Sequence, residues 1–351
     1  MGPAICYTAR WLLNSGALNP ARALLEWIES QGGAAPLLFV ALFLLGSVLM
    51  LWRLEAMSAR GFEGTVLGTL VMPYCSGLGN LVFAFLLARR QGPGAEVMTN
   101  ALVNNVTNMT LILGLPALLW GIRLMPARKT KSKNSTKTHE LNRLALLFTL
   151  LAVLFFCGAV WALGRDGRLD FSDGLVLVGL FAFWQCFHVF DVLRSNVRAG
   201  RSLGWIIVLD ALLLGLGAWA VFVSTDWLVN WLERQPSGRF LSAQHLGWLS
   251  GWLMVLPNGL LALYYAWRGR PEVTYASQVG DGHVCIPLCV GIYALHHPLV
   301  MPAVFQTGVL VLVGATLTHL LCVLALGGLP RFMGAVLLAG YAWFVKTGLG
   351  P

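Results

Sequence analysis

Ten runs of about 20 mostly apolar residues follow one another along the chain, each long enough to cross the hydrocarbon of a bilayer as a helix. They are Pro36 to Met57, Thr65 to Leu87, Val97 to Ile122, Leu144 to Leu163, Gly174 to Val192, Leu203 to Leu228, Leu246 to Trp267, Val273 to Leu295, Val304 to Leu326 and Phe332 to Thr347. Ahead of the first, "NPARALLEWIESQGG" reads as a short interfacial helix, with Asn19 as N-cap, Pro20 at the first helical position and Gly32 as the stop. Met1 to Leu18 holds one Arg and no apolar stretch of leader length, so no cleavable signal peptide is expected.

Two of the ten runs are broken by polar residues. In "ALVNNVTNMTLILGL", Asn100, Asn104 and Asn108 fall at i, i+4 and i+8 with Asn105 and Thr107 beside them, which on a helix makes one polar stripe. In the eighth run Ser277, Asp281 and Cys285 repeat that spacing. A stripe turned to lipid would leave amides unsatisfied at several kcal/mol each, so both stripes must face protein or water. Asp281 is the carboxylate placed deepest in a run, with Asp191 and Asp210 the next nearest. A single Asn or Thr in such a helix commonly just joins helices by a hydrogen bond. A set of them around an intramembrane carboxylate marks a functional site.

The broken runs are also related to each other. "LGNLVFA" from Leu78 matches "LPNGLLA" from Leu256 at an offset of 178, and "NNVTNMTLILGL" from Asn104 matches "DGHVCIPLCVGI" from Asp281 at an offset of 177. Two independent matches at nearly one offset indicate a duplication. Each half then has five spans, an odd number, so the halves must cross the membrane in opposite senses. This is the inverted-repeat plan of secondary transporters, whose substrate site lies near the midplane beside helix breaks. Gly79, Pro257, Gly280 and Gly282 supply breaks beside Asn80, Asn258 and Asp281, and Ser76 and Gly77 stand just ahead of Asn80 as further candidates.

Composition agrees with the pattern: of 351 residues 57% are hydrophobic and 11% charged, beyond the range of a soluble domain. The net charge of +9 would suggest nucleic acid in a soluble chain. Here the 24 Lys and Arg lie almost wholly between apolar runs, where they set orientation and meet lipid head groups, so no nucleic-acid partner is expected. Loops on the side opposite the termini hold 15 of them, seven between Arg123 and Arg143, against 9 on the termini's side. That bias places the loop 123–143 in the cytoplasm and both termini outside, in what is expected to be a bacterial inner membrane. The seven cysteines are scattered singly and suggest neither disulfides nor a zinc knuckle. Cys75, Asp281, His283 and Cys285 would suit a soft metal, but His283 is two residues from both neighbours and points off their face.

"GFEGTVLGTLVMPYCSGLGNLVFAFLLARR" followed by "NNVTNMTLILGL" resembles the first repeat of the sodium/calcium exchanger superfamily of calcium/cation antiporters, whose usual form is "G-T-S-L-P-E" and then "G-S-N-I-F-N-x-x-L-V-L-G-L". "LPNGLLALYYAWRG" and "GDGHVCIPLCVGIYAL" resemble the second. The resemblance implies an all-α polytopic membrane protein of ten transmembrane helices in two inverted five-helix repeats. The expected division is an N-terminal segment 1–35, a first repeat 36–200 and a second repeat 201–351.

Carried over by position, the resemblance puts Asn80 and Asn258 where the family has its two ion-binding glutamates. Asn104 and Asp281 fall on the family's Ser, Asn105 and Gly282 on the following Asn, and Asn108 and Cys285 on the residue that completes each site. Both signature carboxylates are thus amides here, with Asp281 as a relocated acid and the one metal ligand expected. The implied function is cation antiport at a midplane site, with sodium, protons or calcium as transported ions, no cofactor and no enzymatic activity. Monovalent cations or protons are favoured, because calcium held by one carboxylate would leave uncompensated charge in low dielectric. The alternative is a degenerate relative that keeps the fold as a structural or interaction protein and transports nothing.

Overall fold

The computed structural model describes residues 19–59, 74, 77–124, 133–196, 205–269 and 271–350. Long apolar runs without strand periodicity fold as helices because every backbone group then finds its partner within its own segment. The helices are α1 (Asn19–Ser30), α2 (Ala35–Ala59), α3 (Leu78–Arg90), α4 (Gly94–Val106), α5 (Leu113–Trp120), α6 (Lys133–Leu163) and α7 (Phe171–Asn196). They continue as α8 (Ile206–Glu233), α9 (Leu246–Trp267), α10 (Pro271–Val284), α11 (Val290–Ala294), α12 (Phe305–Leu326) and α13 (Arg331–Leu349). One wide turn of π-helix, Thr107–Ile112, joins α4 to α5, and another, Cys285–Cys289, joins α10 to α11.

Eight helices among the described residues are long and apolar enough to cross a membrane, and each coincides with an expected span. Of the other two, Thr65 to Leu87 falls in its first half mostly outside the described residues. The run 271–294 is continuous helix that the polar stripe keeps below the apolarity of the rest.

Four two-residue strands bear on the crossing count: β1 (Ile122–Arg123), β2 (Arg168–Leu169), β3 (Leu299–Val300) and β4 (Gly328–Leu329). β1 pairs antiparallel with β4, and β2 with β3. Hydrogen-bonded strands at the membrane surface must lie on the same side, so an even number of crossings separates the members of each pair. Five of the eight apolar helices lie between β1 and β4, and three between β2 and β3. Counting the run 271–294 as a further span makes both numbers even.

The described residues form two compact units, and each draws on both halves of the sequence. In the unit containing residues 1–86 and 188–246, α2 packs along α8. Phe39 stacks on Trp227 with ring centroids 4.1 Å apart, and a Cβ on Gly217 would sit 2.8 Å from the Gly46 carbonyl. Close backbone approach through small residues is how membrane helices gain contact where lipid offers no hydrophobic drive. Asp210, fully buried on α8, takes Arg53 Nη1 of α2 at 3.4 Å. An acid expected near a span end is thereby neutralised inside the unit.

In the unit containing 87–187 and 247–351 the duplication is visible as geometry. α5 packs on α13, where a Cβ on Gly334 would lie 2.5 Å from the Gly114 carbonyl. α11 packs on the start of α7, where a Cβ on Gly174 would lie 2.8 Å from the Leu295 nitrogen. Gly114 and Gly291 are 177 residues apart, as are the paired strand residues Ile122 and Leu299. Gly174 and Gly334 are 160 apart, as are their strand counterparts Leu169 and Leu329. Each half therefore lends its last helix to the other half's third span.

Candidate functional site

The helix that carries the first polar stripe is the most enclosed of the eight: 72% of the apolar window of 94–120 is buried, against 17% for 331–349. Asn100, Asn104, Asn105, Thr107, Asn108 and Thr110 are all buried, while Leu37, Phe183 and Leu212 are exposed. Polar residues inside and apolar residues outside is the order that hydrocarbon surroundings impose.

The stripe on α4 faces α9 and α10. Asn100 Nδ2 donates to Ser250 Oγ of α9 at 2.9 Å. One turn on, Asn104 Nδ2 reaches Cys285 Sγ at 3.4 Å, so a residue of the first repeat meets the second repeat's counterpart of Asn108. Asn105 Nδ2 donates to the Ala101 carbonyl at 2.7 Å, and its Oδ1 lies 3.2 Å from where a Cβ on Gly282 would be. Asn105 and Gly282 are themselves aligned positions, so the local two-fold axis of the repeats passes here. The lost side chain at Gly282 makes the room that Asn105 occupies.

At this level both helices widen, at aligned positions. Pro287 accounts for the second wide turn, since its ring collides with the carbonyl four residues back and it has no N–H for the α ladder. In the first, Thr110 Oγ1 turns back to the Val106 carbonyl at 2.5 Å, a bond that bends helices. Single π turns inside α-helices concentrate at functional sites. Beside this one, Asn104 Oδ1 and Thr107 Oγ1 are buried with no hydrogen-bond partner among the described residues. Two orphaned oxygens at the meeting of two broken helices can accept a cation or a hydrogen-bond donor.

The other expected residues are placed as follows. Asn108 and Cys285 are fully buried at this level. Asn258 is buried on α9, one residue past Pro257. Asn80 is buried on α3 in the other unit, and its Oδ1 has no hydrogen-bond partner among the described residues. Gly77 is buried just ahead of α3, and Ser76 lies outside the described residues. Ser277 and Asp281 lie on α10 at one and two turns before Cys285, with side chains outside the described set. His283 turns away from the stripe, as its spacing implied, and bonds the Thr149 carbonyl of α6 at 3.1 Å.

Sequence reasoning passed over several buried polar residues. Thr274 Oγ1 bonds the Ala262 carbonyl at 3.1 Å, and Gln278 Nε2 the Asn258 carbonyl at 3.3 Å. Two side chains at i and i+4 on α10 thus hold two carbonyls at i and i+4 on α9. Glu96 Oε2 accepts the Gly247 N–H at 2.5 Å, capping the start of α9. Glu96 and Gln278 do announce themselves in the sequence: Glu96 continues the i, i+4 ladder of Asn100 and Asn104 by one turn, and Gln278 precedes Asp281 by three residues.

A duplicated helical bundle with a polar interior, an apolar exterior and paired helix breaks at its local symmetry axis defines an integral membrane protein of the inverted-repeat transporter class. The family model described as "Sodium/calcium exchanger protein" matches residues 34–190. That stretch of the chain is thus similar to the sodium/calcium exchanger family. The chain's fold is similar to solved structures of the sodium-calcium exchanger NCX_Mj. With the crystal soaked in 2.5 mM Na+ and 10 mM Sr2+, the TM-score is 0.60 at 22% identity, over 89% of this chain and 96% of that one. With 2.5 mM Na+ and 0.1 mM Sr2+ the score is again 0.60, at 23% identity over the same shares. Soaked with neither Na+ nor Ca2+, it gives 0.59 at 22% identity over 88% and 95%. No curated protein matches the sequence.

Proposed function

We propose that the chain is a cation antiporter whose ions are exchanged at the polar level where α4 and α10 meet, with a monovalent cation and protons as the coupled pair. The observation that carries this reading is the pair of buried oxygens, Asn104 Oδ1 and Thr107 Oγ1, without a hydrogen-bond partner among the described residues, beside two aligned wide turns. Leaving a buried acceptor unsatisfied costs roughly 1–3 kcal/mol, and a bound cation recovers it. The match of residues 34–190 to the sodium/calcium exchanger family and the similarity in fold to the sodium-calcium exchanger NCX_Mj support the same class of activity.

The ligand set separates the candidate ions. Asn104, Asn108 and Asn258 carry neutral amide oxygens, and Asp281 is the acid on this stretch of helix. Asn100 joins α4 to α9, Asn104 meets Cys285 of the other repeat, and Asn105 bonds within its own helix. A dication with one carboxylate leaves net charge in a low-dielectric layer, whereas a monovalent cation is neutralised. A carboxylate such as that of Asp281 is neutralised either by a proton or by a bound cation. Cation and proton therefore exclude each other, and by reciprocity each drives the other off.

Sodium affinity rises with pH on this account, because the carboxylate must lose its proton before the ion binds. The slope is at most about tenfold per pH unit for one proton exchanged. Calorimetry with sodium at several pH values, on the parent and on Asp281→Asn, tests it: the substitution is expected to flatten the dependence. Parallel pH profiles in the two proteins would exclude the coupling role. One observation favours a second reading. Amides at both positions where the family carries glutamate are what a relative would show after losing transport and keeping the fold as a structural protein.

A further inference from the structure

His319 of α12 is fully buried and plays no part in the ion-binding set. Its Nε2 bonds the Met109 carbonyl at 2.7 Å, and its Nδ1 bonds the hydroxyl of Tyr275 on α10. The rings of His319 and Tyr275 meet edge to face with centroids 5.3 Å apart. A carbonyl can only accept, so Nε2 carries the proton, and Nδ1 of the neutral ring then accepts the tyrosine O–H. That fixes one tautomer and one ring orientation. The chain of bonds begins at the middle of the first wide turn, passes through α12 and ends on α10. It joins the two segments that carry Asn108 and Asp281, one residue from the first and six from the second.

We propose that His319 is the positioning residue that holds the first wide turn in its open form, and so sets where Asn104, Thr107 and Asn108 present their oxygens. The turn has no proline, unlike its counterpart at Pro287, and the Thr110 back-bond does not hold it open alone, since Thr149 and Thr316 make the same bond in ordinary α-helix. A π turn is intrinsically less favourable than α-helix and persists where an outside group engages its backbone. The imidazole is that group. Tyr275 keeps the ring from rotating and ties the turn to the opposite repeat. This inference rests on the proposed ion site only for its consequence, since the state of the turn is measurable without any ion.

The sequence offers a selective probe. Met is followed by Thr at Met98–Thr99 and Met109–Thr110 and nowhere else. Full-length protein in lipid bilayers, labelled with 13C at Met carbonyls and 15N at Thr, therefore gives two correlated signals in solid-state NMR, with Met98 as the internal control. His319→Leu is expected to shift the Met109 signal and leave Met98 in place, whereas His319→Gln, which keeps a donor and an acceptor, is expected to hold it near its parent position. Tyr275→Phe should shift it in the same direction by less, and decides the matter if the leucine variant does not fold. An unmoved Met109 carbonyl in His319→Leu, or in Tyr275→Phe where that variant stands in, overturns the proposal, as does an equal displacement by glutamine and leucine. Sodium titration of the same samples reads the consequence: affinity should fall about tenfold in His319→Leu and be retained in His319→Gln, one buried hydrogen bond being the difference. If sodium and calcium leave the parent spectrum unchanged, the ion site is what fails, and the clamp is judged on the ion-free carbonyl signal.

Discussion

At the scale of single residues, Asn100 and Asn104 of α4 do different jobs, although both are buried and they lie one turn apart. Asn100 spends its amide on Ser250 at 2.9 Å and ties α4 to α9. Asn104 makes only a long contact to sulfur and leaves its oxygen unused among the described residues. Asn104→Ala should therefore weaken sodium binding by an order of magnitude or more while the unfolding temperature barely moves. A helix-joining hydrogen bond in a membrane averages about 0.6 kcal/mol, so Asn100→Ala should show a small stability loss and near-parental binding. Equal losses of binding in both variants would contradict the division. The stripe was legible in the sequence because its partners recur every four residues on one helix. Thr274, Gln278 and His319 were not, since the carbonyls they hold belong to other helices and the pairing exists only after the chain has folded.

At the scale of elements, small residues decide where helices meet. Gly174 and Gly179 lie on the same face-to-lipid helix, α7, yet a Cβ at Gly174 would lie 2.8 Å from the Leu295 nitrogen, and one at Gly179 would meet nothing within 4 Å. Gly174→Val should lower the unfolding temperature in detergent, at a cost on the order of 1–3 kcal/mol for overpacking, and Gly179→Val should leave it nearly unchanged. The spans themselves were readable from hydropathy, and the second wide turn from Pro287. The first wide turn was not, because it has no proline and a threonine back-bond such as that of Thr110 also occurs in regular helix, at Thr149 and Thr316. The two-residue strands are equally invisible. Gly121 and Gly327, with φ of 72° and 68°, mark only the helix ends that precede β1 and β4.

At the scale of the whole molecule, the duplication detected as two offsets in the sequence reappears as two glycine contacts and two strand pairs with matching spacings. Counting the polar run 271–294 as a span, although hydropathy alone leaves it below its neighbours, makes the crossings between the paired strands even. The division into compact units was not legible, because each unit is assembled from both halves of the chain and no linker marks the boundary. The central claim is that this assembly exchanges cations in spite of amides at Asn80 and Asn258. Its most direct test is flux of radioactive sodium into proteoliposomes holding the full chain, driven by an outward proton gradient. Uptake that collapses when the proton gradient is dissipated, and that is lost in Asn104→Ala reconstituted to the same level, is the predicted result. A flat trace for sodium, potassium and calcium alike, from folded and correctly incorporated protein, would contradict it and leave the fold in a role other than transport.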